Sequence, residues 1–153
     1  MFQPKQNVYT GKNVRDYHVY KNGEVFDPAP SLKIRNHSPT GFAWGYWGSG
    51  PAQLSLAILL EEFNAEVAQR HYQTFKEKVV GNLPNKDGDE WTLTSDQVYA
   101  WMSHFLHGKV QHCKDEIEKY AQGSSEWRNV QHQWQDALRE IAEVLGTRFT
   151  EVV

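Results

Sequence analysis

The 153 residues carry 16 Lys and Arg against 19 Asp and Glu, a net charge of −3 with a pI near 6.1, so no global positive field holds a phosphate backbone and non-specific nucleic-acid binding is disfavoured. The length fits one domain with an appended element and a real apolar core, and the single Cys113 forms no internal bridge, which points to a reducing compartment. No charged leader opens the chain, and its most apolar run, Leu54 to Leu60, falls far short of the roughly 20 residues that span a bilayer, so no membrane partner is expected and the expected location is the cytoplasm, that of a host cell for a phage-encoded chain.

Valines, tyrosines and turn residues crowd the first third, and helix formers dominate from Pro51 onward. That order predicts an α+β fold: a small, hairpin-based N-terminal antiparallel sheet packed on a helical layer, with a C-terminal helical hairpin. Val8 to Thr10, Val14 to Tyr20 and Glu24 to Phe26 read as short strands. Asn22-Gly23 between the last two accepts the positive φ angles of a tight hairpin turn. Asp27 to Pro30 breaks the pattern and Ser31 to Arg35 is expected to resume it as a strand. Asn36 to Gly41 is a turn by composition.

Pro51 suits a first helical position, which makes Gly50 the expected N-cap and lets Gln53 reach back to the cap backbone. Apolar residues lie almost all round from Ala52 to Phe63, so this helix is expected to be central and buried, with Glu61-Glu62 as its solvated end. A second helix is expected from Ala65 to Leu83, with Ala68, Tyr72, Phe75 and Val79 inward. Trp91 to Leu93 reads as a short extended piece. Thr94-Ser95-Asp96-Gln97 matches a capping box that opens a helix through Val98, Trp101, Met102, Phe105 and Leu106. Beyond it, a histidine-bearing helix interrupted at Gly108 and broken at Gln122 to Ser124 precedes a last helix from Ser125 to Leu145, stopped by Gly146. Trp127, Val130, Trp134, Leu138, Ile141 and Leu145 form its apolar stripe, so Trp127 and Trp134 are candidate contacts to a partner or a second copy. The domain division expected is 1–106 and 107–153.

Phe42, Trp44-Gly45-Tyr46, Gly48-Ser49-Gly50-Pro51-Ala52-Gln53-Leu54 and Leu56-Ala57 form a core that resembles a small family of bacterial and phage proteins of unknown function. Tyr9-Thr10-Gly11, Tyr72, Phe75-Lys76 and Trp91 to Thr94 extend the resemblance over about residues 7–105. Trp47 stands where the family leads one to expect a smaller residue. The resemblance implies no activity, and it leaves out the C-terminal hairpin.

Backbone N–H groups of Gly48, Ser49 and Gly50 ahead of a helix would form an anion-binding nest. If residues 42–46 are extended, Phe42, Trp44 and Tyr46 share one side and could stack a planar group. His37, Trp44, Tyr46, Trp47, Gly48, Ser49, Gly50 and Gln53 are therefore the candidate ligand residues. The ending fits neither the Walker loop nor the dinucleotide fingerprint. The same letters are explained without a ligand, by glycines that let aromatic rings and a helix start pack closely, and this packing reading ranks first.

No catalytic residue is assigned. Ser49 lacks the spacing of an elbow nucleophile, and His112-Cys113, adjacent on a helix, do not face each other. His104, His107 and His112 have a spacing that could hold a transition metal, although no cofactor is expected. A non-enzymatic interaction protein ranks first, as an accessory inhibitor or adaptor of a host or defence protein. A binder of a small anionic ligand or nucleotide ranks second, and an enzyme third.

Overall fold

The computed structural model describes residues 2–147 and 149–151, without the side chains of residues 2, 3, 145, 147 and 149–151. The chain divides into two compact units, Pro4–Val98 and Tyr99–Val153 together with Met1–Gln3.

In the first unit the sheet begins with Val8–Val14 (β2), which follows the short strand Phe2–Pro4 (β1). It continues with Asp16–Lys21 (β3) and Glu24–Val25 (β4), and Glu90–Thr94 (β5) joins from further along, giving the order β4-β3-β2-β5 with every pair antiparallel. Arg15 at φ 63° makes the first turn, and Asn22 and Gly23 at φ 52° and 82° make the hairpin expected of Asn-Gly. β2 runs straight through Gly11, which is required there by Trp91: a Cβ on Gly11 would overlap the indole ring. Tyr9, Val19, Trp91 and Leu93 line the buried face.

The segment expected as a fourth strand is a helix, Ala29–Ile34 (α1). Asp27 Oδ1 accepts from the Ala29 N–H at 2.9 Å, and Pro28 and Pro30 sit where a helix start tolerates proline. These local signals outweigh the alternation read from Ser31 to Arg35. Helix α2 spans Ser49–Glu62 and is the central helix expected, with Gly50 to Leu59 all buried. It contacts α1, the following helix Ala65–Lys78 (α3) and a 3-10 turn at Val80–Asn82. α3 ends earlier than its apolar pattern suggests, because the chain tightens into that turn before Pro84.

The solvated end assigned to α2 is a correction. Glu61 pairs with Lys21 at 2.8 Å, but Glu62 is only 4% exposed. Its Oε1 accepts from the Tyr9 hydroxyl at 2.6 Å, Asn7 Nδ2 at 2.9 Å and Ser95 Oγ at 3.0 Å. Lys5 Nζ donates to the main-chain carbonyls of Glu61 and Glu62 at 3.1 and 2.7 Å, placing a cation at the negative end of the helix. Burial lowers the Lys5 pKa, against the opposing pull of Glu62 and Glu61.

Helix α4 spans Ser95–Ile117, and its start is the expected capping box: Thr94 Oγ1 accepts from the Gln97 N–H at 3.2 Å while Gln97 Oε1 accepts from the Thr94 N–H at 2.9 Å. The helix passes unbroken through Gly108, which faces open space, so the interruption expected there is absent. The division into units falls within this helix, after Val98. In the second unit α4 continues, Ser124 caps Ser125–Thr147 (α5) by accepting from the Trp127 N–H at 3.1 Å, and Phe149–Glu151 (β6) pairs with β1. α5 continues past Gly146. Lys109 and the buried Glu140 pair at 3.0 Å. No helix of the described residues is long and apolar enough to cross a membrane.

The Glu62 cluster sets a pH dependence. Burial first, and then the Glu62 charge, push the Tyr9 hydroxyl far above its ordinary pKa of 10.0. Above pH 10 the unfolded chain releases this proton and the folded chain keeps it, so the folded state binds more protons and stability falls by about 1.4 kcal/mol per pH unit from this group. Tyr9→Phe is expected to lose about 2 kcal/mol at pH 7, where Glu62 keeps two donors. It lacks the alkaline loss, so urea titrations at pH 7, 10 and 12 should find the gap to wild type shrinking as pH rises.

Candidate functional site

The glycine- and aromatic-rich segment leads into α2 through a bend rather than an extended strand. Gly45, at φ 80°, turns the chain there and is held on both sides: its N–H donates to the Val80 carbonyl at 3.0 Å, and its carbonyl accepts from Asn85 Nδ2 at 3.1 Å. A Cβ at Gly45 would also overlap the Asn85 side chain. Because of this bend, Phe42, Trp44 and Tyr46 do not share one side, which corrects the stacking platform expected from period two.

Trp44 is fully buried. Its ring stands edge-on to Tyr17 at 4.7 Å and to Trp91 at 5.5 Å, and its indole N–H donates to the Pro84 carbonyl at 2.8 Å. Phe42 lies against Phe26 at 5.2 Å. Past the bend the rings turn outward, leaving Tyr46 45% and Trp47 70% exposed.

Glycines make room for both outward rings. The Tyr46 ring lies over Gly48, where a Cβ would meet its Cε2 atom at 2.5 Å, and its hydroxyl reaches toward Gly50. Partial burial, and then the nearby Tyr17, raise the Tyr46 pKa. The Trp47 indole edge lies against Gly81 of the 3-10 turn, so tightly that a Cβ there would overlap it. The helix begins at Ser49, with Gly48 as N-cap and no side-chain cap. Gly50 is therefore inside the first turn rather than at the cap, pressed against Ala43, while Ser49 is exposed. The Tyr46 ring thus packs against Gly48, beside the turn expected to cradle an anion.

Gln53 and His37 are placed otherwise than expected. Gln53 does not reach back to the cap. It is fully buried, its Oε1 accepting from the His37 and Ser38 N–H groups at 2.8 and 3.3 Å and its Nε2 donating to Ser31 Oγ at 2.8 Å. The His37 ring turns to α3, with Nε2 2.8 Å from the Tyr72 hydroxyl, instead of toward the glycines.

His104, His107 and His112 are all exposed on α4. His107 Nδ1 donates to the Ser103 carbonyl at 2.7 Å. Among the described residues no group of three or more His, Cys, Asp or Glu is arranged to hold a metal. Trp127 and Trp134 are half-buried on α5, and Leu138, one turn beyond Trp134, is 46% exposed. Leu145, at the end of that stripe, lies outside the described side chains. The Trp134 indole N–H is buried, with no acceptor among the described residues.

Glu62 is the polar residue that sequence reasoning missed. The signal was present, since it stands four residues after Ile58 and three after Leu59, on the side of the helix those residues bury.

Fold and site together define a small α+β protein whose glycine-rich signature is a packing junction with two outward rings. The chain belongs to the family of unknown function DUF6166, whose model matches residues 9–104. No curated protein and no solved structure matches it.

Gly50→Ala tests the junction. The added methyl meets Ala43 Cβ at 2.6 Å inside the core. An overpacking loss of about 1–3 kcal/mol is expected in urea unfolding, with no ligand present.

Proposed function

We propose that this chain is a non-enzymatic interaction protein that docks on another protein through Tyr46 and Trp47. The observation that carries the reading is Trp47, 70% exposed yet seated against Gly81. Tryptophan is enriched among the residues that dominate interface energies, where a large ring fills a partner pocket and excludes water. The loop is already fixed through Gly45 to Val80 and Asn85, so little chain entropy is lost on binding. The role of inhibitor or adaptor of a host or defence protein is the form of this reading suggested by the resemblance to bacterial and phage proteins. The small-ligand reading ranks below it, because Trp44 is inside the core and the Tyr46 ring packs against Gly48.

Affinity capture from the source cell's lysate, wild type against Trp47→Ala, tests this. A partner identified with the wild type is expected to bind the variant about 30-fold more weakly, equivalent to about 2 kcal/mol. The melting temperature should change little. A partner held equally by both proteins, or a nucleotide-sized molecule retained in native mass spectrometry with no protein partner, overturns the reading.

A further inference from the structure

The turn between β3 and β4 holds the only Asn-Gly dipeptide of the sequence, Asn22-Gly23. An asparagine followed by glycine carries a chemistry of its own. The main-chain nitrogen of the second residue attacks the side-chain carbonyl carbon of the first, and glycine, having no Cβ, leaves that approach open. Both residues are exposed, and a Cβ on Gly23 would meet nothing within 4 Å, so no neighbour shields the main chain there.

The bonding of the Asn22 side chain restrains this reaction in the folded chain. Its Oδ1 accepts from the Val8 N–H at 2.8 Å and its Nδ2 donates to Asn7 Oδ1 at 3.1 Å, while the Asn22 N–H donates to the Val8 carbonyl at 2.8 Å. The side-chain carbonyl carbon is thereby held toward the start of β2. It swings onto the Gly23 nitrogen only when both side-chain bonds open, and two bonds of ordinary net strength make that opening about 30-fold unfavourable.

The same contacts decide what a product at this position does. Asn7 cannot turn its amide round, because its Nδ2 donates to the buried Glu62 Oε1 at 2.9 Å. It therefore presents an acceptor to position 22, where asparagine supplies a donor and a carboxylate supplies none.

We propose that Asn22 is a self-modifying site, deamidated when its bonds to Asn7 and Val8 open, and that the product no longer closes the turn on Asn7. The Gly23 nitrogen bonds to the Asn22 side-chain carbonyl carbon, the bond from that carbon to Nδ2 breaks, and the Gly23 amide proton leaves with the NH₂ group as ammonia. Water then opens the five-membered imide at either carbonyl. Opening at the side-chain carbonyl gives aspartate. Opening at the main-chain carbonyl gives isoaspartate, whose backbone runs through the side chain and is one carbon longer, so the two-residue turn that sets the strand register is lost. Trp47 takes no part, and the modification stands independently of docking through that ring.

Incubating the full chain at one pH, in native buffer and in urea that unfolds it, tests this when peptides are then mapped by mass spectrometry. In urea the peptide holding Asn22 is expected to gain the mass of an amide-to-acid conversion faster than any other asparagine. In native buffer the same conversion should be at least about tenfold slower. Chains modified in urea, refolded and separated by charge, should exchange the Asn22 amide hydrogen about tenfold faster than the unmodified chain. Asn22→Asp supplies the same comparison should the modified chain not refold. Conversion no faster at Asn22 than elsewhere in urea, a native rate equal to or above the unfolded one, or unchanged exchange at the Asn22 amide overturns the proposal.

Discussion

Helix α2 has no solvent face along its middle, and the rest of the first unit is arranged around that constraint. A helix buried from Gly50 to Leu59 keeps its own main-chain hydrogen bonds, but each polar side chain it carries needs a partner from elsewhere. Ser55 solves this within the helix by donating to the Pro51 carbonyl at 2.8 Å. Gln53 and Glu62 solve it by reaching out. Gln53 binds Ser31 of α1 and the turn at His37 and Ser38, while Glu62 binds Tyr9 of β2, Asn7 before it and Ser95 at the start of α4. Two buried polar groups, one near each end, thus fix the surrounding loops to the helix, and neither can be lost without stranding partners in a dry environment.

The glycines serve the same helix from its N-terminal side. Gly48, Gly50 and Gly81 each stand where another residue's atoms fill the place of a Cβ: the Tyr46 ring, the Ala43 methyl and the Trp47 indole. Close approach, rather than ligand contact, is what these positions share. Its by-product is a rigid loop that keeps two large rings at the surface, and rigidity is what makes an exposed ring effective as a binding element. β3 has a short cover on its outer side, since β4 pairs with it only at Tyr20 and Lys21.

Elements governed by local chemistry were legible in the residues. Asn22-Gly23 made the hairpin, Thr94 to Gln97 made the capping box, and the all-round apolar run made the buried helix. α1 was misread because Ser31 to Arg35 alternates like a strand while the helix-starting bond from Asp27 lies upstream. Gly108 was misread because a glycine in open space costs a long helix only about 1 kcal/mol.

For the candidate site the limit was geometric. The residues named Trp44, Tyr46 and Trp47 as a group, but which ring goes inside depends on the bend at Gly45, and that bend is held by Val80 and Asn85, some 35 to 40 residues away. Glu62 was taken for a solvated helix end because its partners Asn7, Tyr9 and Ser95 come from 33 to 55 residues away. By itself, the sequence determined fold class, hairpin, caps and the central helix, since these follow from propensity and periodicity within a few residues. The burial of Glu62 and Gln53, the inward turn of Trp44 and the short cover of β3 by β4 came from tertiary packing, because each depends on which distant atoms fill the space beside a residue.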